Sequence, residues 1–316
     1  MINLQPGRRL VEVERSGVVE SAHTGHLIVL AADGSILFRV GNPDQPVFPR
    51  SSLKPLQAVA LLRTGVDFRP DELALAAASH SGSAQHRELI AAELAAAGLT
   101  ESDLDCPPDL PLGDAEQRAY LAAGLPESRL AMNCSGKHAG MLRACLANNW
   151  PISGYRAASH PLQQGLAATV SELTGEPIAA TGVDGCGAPL FAVSLTGLAR
   201  AFSRIATAAD GAERRVAEAM RAHPELVGGR GRTVTELMQG VAGLIAKDGA
   251  EGVYAAALPD GGAVALKIDD GAVRASERAV VMALRHLGVT APVLDDLERQ
   301  PVHGGGEPVG AVRPVS

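Results

Sequence analysis

Strand-like sequence is confined to the two ends of this chain, and helix-like sequence fills the middle. Near the start, Gly25 to Ala31 and Ile36 to Val40 alternate in the manner of strands around the turn Ala32-Asp33-Gly34, with Val11 to Val19 beside them. Near the end, Gly252 to Leu258 and Ala263 to Ile268 flank Pro259-Asp260-Gly261-Gly262, a hairpin turn, and a further short strand is expected at Val309 to Val312. Between them a helix is expected from Ser51/Ser52, with Pro55 in its first turn. Others follow over about 71–79, 86–98, 114–124, 136–148, 160–174, 187–203, 211–222 and 233–248, and one over about 272–287 comes after the last hairpin. Two isolated hairpins cannot each bury a face, so the ends must meet in one antiparallel sheet. The expected fold is therefore mixed α/β (α+β), a single domain over 1–316. Its sheet subregion covers about 9–50 and 250–316, and its helical subregion about 51–249. No internal repeat or linker interrupts it, and Gly228, Gly229 and Gly231 mark the expected mobile loop.

Aromatic residues make up only 3% of the chain, so Ala, Leu and Val must build the core. A formal charge of −7 without any Lys/Arg run supplies no phosphate contacts, which argues against nucleic acid or an anionic membrane as partner. Residues 1–20 hold no apolar run of signal-peptide length, and no stretch reaches the roughly 20 apolar residues of a membrane helix. A soluble, cytoplasmic protein with small-molecule partners is expected. Cysteines at 106, 134, 145 and 186 do not read as a disulfide framework, leaving free thiols or a metal site.

Lysine is scarce. Of 28 basic residues, 24 are Arg and four are Lys, at 54, 137, 247 and 267. Where a positive charge suffices this chain uses Arg, so each Lys raises the question of what an amine does that a guanidinium cannot. It can lose a proton near neutral pH when buried. Lys247 alone is taken as an ordinary surface residue.

Several segments hold residues able to do chemistry. Ser51 and Lys54 stand three apart at an expected helix start, where they share a face, and the helix N-terminus offers free N–H groups to a developing oxyanion. A capping serine followed by a first-turn lysine is the commoner use of that spacing. The apolar run Leu73 to Ala78 leads into Ser79-His80-Ser81-Gly82, a pocket wall or a plain helix cap, and His80 and His86 are expected to be core or solvated histidines. Asn133-Cys134-Ser135-Gly136-Lys137-His138 and Thr181-Gly182-Val183-Asp184-Gly185-Cys186-Gly187 are two thiol-bearing turns. Two such turns can converge on one zinc ion, or their thiols can be buried and inert. Lys267, inside an apolar strand, either serves a site or points to solvent.

Taken in order, Pro49 to Lys54, Ser79 to Gly82, Asn133 to Met141, His160-Pro161, Asp184 to Pro189 and Ala265 to Gly271 resemble the rhizobial-type L-asparaginases (the asparaginase II family) over about residues 10 to 313. The resemblance implies a serine β-lactamase- and glutaminase-like fold, a homodimer and hydrolysis of L-asparagine to aspartate and ammonia. It also implies two pairs at one pocket, Ser51 with Lys54 and Ser79 with Lys267, with Ser51 as nucleophile. A zinc ion bound by Cys134, Lys137 and Cys186 is implied as well, with His138 and Asp184 orienting ligands or the substrate amine and Arg50 suited to the substrate carboxylate. The rival readings are a glutaminase or β-lactam-reactive acylase, and a catalytically silent zinc-binding scaffold. One departure is Val234, where the family pattern commonly has Asp.

Overall fold

The computed structural model describes residues 5–315. The expected span 1–316 therefore includes residues 1–4 and 316, which lie outside the described ones. In chain order the elements are β1 (Arg8–Arg15), β2 (Val18–Leu30), β3 (Ile36–Val40), β4 (Pro46–Val47), a 3-10 turn over Arg50–Leu53, α1 (Lys54–Arg63), α2 (Pro70–Ala76), α3 (Ala84–Ala96), a 3-10 turn over Glu101–Asp103, α4 (Asp114–Ala122), α5 (Ser135–Ala147) and α6 (Pro161–Thr174). They continue with β5 (Ala180–Val183), β6 (Pro189–Ser194), α7 (Leu195–Thr207), α8 (Gly211–Ala222), α9 (Pro224–Val227), α10 (Thr233–Gly240), β7 (Ile245–Gly249), β8 (Val253–Ala257), β9 (Ala263–Ile268), α11 (Val273–His286), α12 (Val293–Glu298), β10 (Gln300–Gly304) and β11 (Glu307–Pro314).

The two chain ends do share a sheet. Its order is β10-β11-β1-β2-β9-β8-β7, with β3 also paired to β2, and every pairing is antiparallel. β1 lies on β11 with Val13 opposite Val312, and β2 lies on β9 with His26 opposite Lys267. β8 and β9 are buried along their whole length, because α7 and α11 both pack on them, which leaves no solvated face for alternation. On the helical side α1 is the hub. Residues 54–62 are all buried as it packs against α5, α6 and α8, the pattern of a helix apolar all round. Its N-terminus starts next to β7, the edge strand of the sheet.

Two expected helices turn out otherwise. Within 187–203, Pro189–Ser194 is a strand, and the helix begins only at Leu195, where the Ser194 hydroxyl accepts from the Gly197 N–H at 2.8 Å. Pro-Leu-Phe-Ala-Val, ahead of Ser194, is a short continuous apolar run, a pattern that fits a buried strand and a buried helix equally. Within 233–248, α10 stops at Gly240 and Ile245–Gly249 forms β7. The expected helical subregion accordingly contains β5 and β6, which with β4 make a separate three-stranded sheet, and also β7, the edge strand of the large one. No helix of the described residues is long and apolar enough to cross a membrane.

Candidate active site

The site starts at the turn before α1. Arg50 adopts φ +53°, left-handed backbone that a long side chain seldom takes, at a cost on the order of 1–3 kcal/mol. Ion pairs hold it there. Its Nε donates to Asp184 Oδ1 at 2.8 Å, and its guanidinium lies 4.0 Å from the carboxylate of Glu251, itself at φ +62°. Across the turn runs β7, so close that a Cβ on Gly249 would stand 2.5 Å from the Pro49 carbonyl oxygen; only glycine permits that approach. Ser52 Oγ fastens the two by donating to the Lys247 carbonyl at 3.0 Å.

Ser51, half-buried, and Ser79 line one cavity of about 810 Å³, together with Arg50, Cys134, Asp184 and Arg232. Ser79 follows α2 and is fixed by backbone bonds: its N–H donates to Val227 O, and the next N–H, of His80, to Asn133 O. Lys54 is 1% exposed and reaches the cavity through its partners Ser79 and Cys134, which line it. The amine donates to Ala78 O at 2.5 Å, Ser79 Oγ at 3.0 Å and Cys134 Sγ at 3.1 Å. The pairing thus differs from the expected one, because Lys54 is turned to Ser79 rather than to Ser51.

Lys267 is not turned to Ser79 either. It lines a second cavity of about 630 Å³ with Phe48 and Val183, and its amine donates to the Ile268 carbonyl; the two cavities have Arg50 and Glu251 in common. The reason is topological. β9 is two strands in from the edge, whereas β7 abuts the Arg50–Leu53 turn.

It is Lys247, on β7, that comes to the site, and the expectation of a surface residue is wrong. Its side chain is fully buried, and its amine donates to Asp248 O at 2.8 Å and Asp248 Oδ1 at 2.5 Å. Burial brings its pKa down to about 8, with the Lys54 and Arg232 charges adding and Asp248 opposing. The same carboxylate accepts from Arg232, which also donates to the Ser79 carbonyl. Neither Arg232 nor Asp248 stood out in the sequence; an Asp next to one of four lysines was the only available signal. Tyr254, also on the cavity wall, has a buried hydroxyl without a hydrogen-bond partner.

Cys134, Lys137 and Cys186 are brought together from the start of α5 and the turn after β5. The Lys137 amine donates to Cys186 Sγ at 3.1 Å. Cys186 is pulled toward thiolate, first by its hydrogen bond with Cys134 and against burial, with the Lys137 charge contributing; Cys134 is correspondingly pushed up. His138 Nδ1 meets the Tyr155 hydroxyl at 2.7 Å, and its buried Nε2 has no hydrogen-bond partner. Among the described residues no three His, Cys, Asp or Glu side chains gather as a metal site. Two thiols with an amine nonetheless offer zinc sulfur and nitrogen donors once they are deprotonated, so the set fits that ion.

His80 is buried, its Nε2 2.9 Å from Ser135 Oγ and its ring stacked on His86 at 5.0 Å. Val234 is also buried and packs by Gly228 rather than lining the cavity, so the departure at 234 leaves the cavity wall untouched. The glycine cluster is not open loop at its first two members: Gly228 and Gly229 are buried, and a Cβ on Gly229 would stand 2.5 Å from the Ser81 side chain.

Comparison with curated proteins gives no match. The family model described as L-asparaginase II matches residues 11–314. That span runs from β1, through both thiol-bearing turns and all four lysines, to the strand that pairs with β1, and the chain belongs to the L-asparaginase II family of amidohydrolases acting on asparagine.

Proposed function

We propose that the chain hydrolyses the side-chain amide of L-asparagine in the larger cavity by serine–lysine chemistry. The observation that carries this is the Lys54 amine, buried and in hydrogen-bond contact with Ser79 on the cavity that Ser51 also lines. Ser51 Oγ bonds to the amide carbon while its proton passes, by way of the Ser79 hydroxyl on the same cavity, to the Lys54 amine. Ser79, bonded to Lys54, hands a proton to the leaving nitrogen as the C–N bond breaks, and Lys54 replaces it. Water then adds to the aspartyl ester and frees aspartate. Lys247 stands behind this pair as a second buried amine whose pKa, near 8, suits proton exchange. Arg50 and Asp184 face the cavity as the pair suited to the carboxylate and amine of the substrate. Lys267, on the adjoining cavity, has no proton-carrying part in this scheme.

Zinc belongs to the proposal, held by Cys134, Lys137 and Cys186. Bound there, it supplies a Lewis-acid contact for a polar group of the substrate. Lys137 must be neutral to ligate, which excludes Arg at that position. His138, its ring held by the Tyr155 hydroxyl, would orient the set. A serine β-lactamase-like layout, a homodimer and a cytoplasmic location complete the reading, supported by the resemblance described above.

Ammonia release from asparagine by the purified chain and its Ser51→Ala variant tests the scheme. Turnover is expected to vanish in the variant with circular dichroism unchanged; a Ser51→Ala protein that still released ammonia at the parent rate would remove Ser51 as nucleophile.

A further inference from the structure

Asp248 is a carboxylate shared between two cations. One oxygen takes the Lys247 amine and the other takes Arg232, whose second nitrogen donates to the carbonyl of Ser79. Arg232 is the residue before α10, so a single side chain ties the α10 start, the Ser79 loop and β7 together. We propose that Arg232 is a positioning residue which, by drawing on the Asp248 carboxylate, keeps Lys247 able to release its proton while holding the Ser79 backbone against the cavity. This deepens the serine–lysine reading and rests on it.

The charges around Lys247 make the claim definite. Asp248 faces it from its own strand, Lys54 from α1 and Arg232 from the start of α10, while β8 presents only Ala255 opposite. Two of those three groups are cations that disfavour an ammonium, and the third is a carboxylate that favours it. Remove Arg232 and the balance tips twice: one cation is lost, and the carboxylate is left to Lys247 alone. Lys247 then holds its proton to higher pH. Arg232 itself stays charged throughout, so it sets the equilibrium without taking part in it.

The test is the pH profile of kcat/KM for asparagine in Arg232→Gln and Arg232→Lys, each also made in an Asp248→Asn background. Arg232→Gln is expected to move the rising limb of the profile alkaline by about 1 pH unit, with the rate on the high-pH plateau largely restored. Arg232→Lys, which keeps the charge, recovers most of the shift. In the Asp248→Asn background Arg232→Gln should shift the limb clearly less, because only the direct repulsion between the two cations is left to lose. A rate lowered equally at every pH, or a shift that persists undiminished beside Asp248→Asn, overturns the proposal. Should Arg232→Gln fail to fold, Arg232→Lys against Asp248→Asn makes the same comparison. Lys247→Met separates the two levels: if it leaves turnover intact, the role of Lys247 falls and the proposal with it. If turnover is lost there while the Arg232 profiles stay unshifted, only the brace is refuted.

Discussion

Lys54 and Ser79, 25 residues apart in sequence, meet through a hydrogen bond of 3.0 Å from amine to hydroxyl. The contact exists because α1, which begins against the edge of the sheet, packs on α2, so that a first-turn side chain reaches the loop after another helix. A guanidinium at 54 keeps charge but cannot take a proton. Lys54→Arg and Lys54→Met should both lower kcat by about 10²–10⁴-fold, with thermal melts confirming that the protein folds. Near-parental kcat in Lys54→Arg would show that position 54 supplies charge alone.

Glu93 gives a prediction about stability. It is buried beside Arg143 at 3.1 Å, yet one of its oxygens has no hydrogen-bond partner, and burial outweighs the guanidinium to push its pKa up to about 8. The unfolded chain sheds this proton near the ordinary carboxylate value and the folded chain keeps it to about 8, so between the two the folded state binds more protons and stability falls as pH rises. Glu93→Gln removes that dependence. Its melting temperature should match the parent near pH 5 and exceed it at pH 9, by a few degrees for each kcal/mol regained. A parent and variant that lose stability in parallel from pH 5 to 9 would disprove the assignment.

Gly249 sets the distance between β7 and the turn that carries Ser51. A methyl group there meets the Pro49 carbonyl oxygen at 2.5 Å, with backbone on both sides. Gly249→Ala should cost about 1–3 kcal/mol and, because relief requires the Arg50–Leu53 turn to move, lower kcat beyond what the loss of folded protein explains. Activity measured well below the melting temperature separates the two effects.

For the metal, Cys186→Ser should lower zinc content to well under one per chain by elemental analysis, while the parent retains near one after dialysis without chelator. Equal, negligible zinc in both proteins would withdraw the ion from the site.

The terminal hairpins were legible because alternation and a Pro-Asp-Gly-Gly turn are local signals, and Ala263 to Ile268 lies where the pattern put it. Pro189 to Ser194 was not, since five consecutive apolar residues closed by Ser194 carry no period. The scarcity of lysine pointed correctly to buried amines, but which amine goes where depends on strand order. Lys267 looked the better candidate, inside a clear strand, while Lys247 was read as part of a helix that Gly240 in fact ends. Arg232 and Asp248 were invisible for the same reason: an ion pair between a helix start and an edge strand has no sequence spacing to betray it.

The position of β9 between β2 and β8 has a consequence for synthesis. As the chain leaves the ribosome, β2 has on one flank only its neighbours β1 and β3, and must wait more than two hundred residues for the partner on its other flank. β1 waits longer still, for β11. The helices from α1 to α8 emerge meanwhile, so the nascent protein spends most of translation as a helical body trailing an open hairpin, the stage at which a chaperone would have the most to hold.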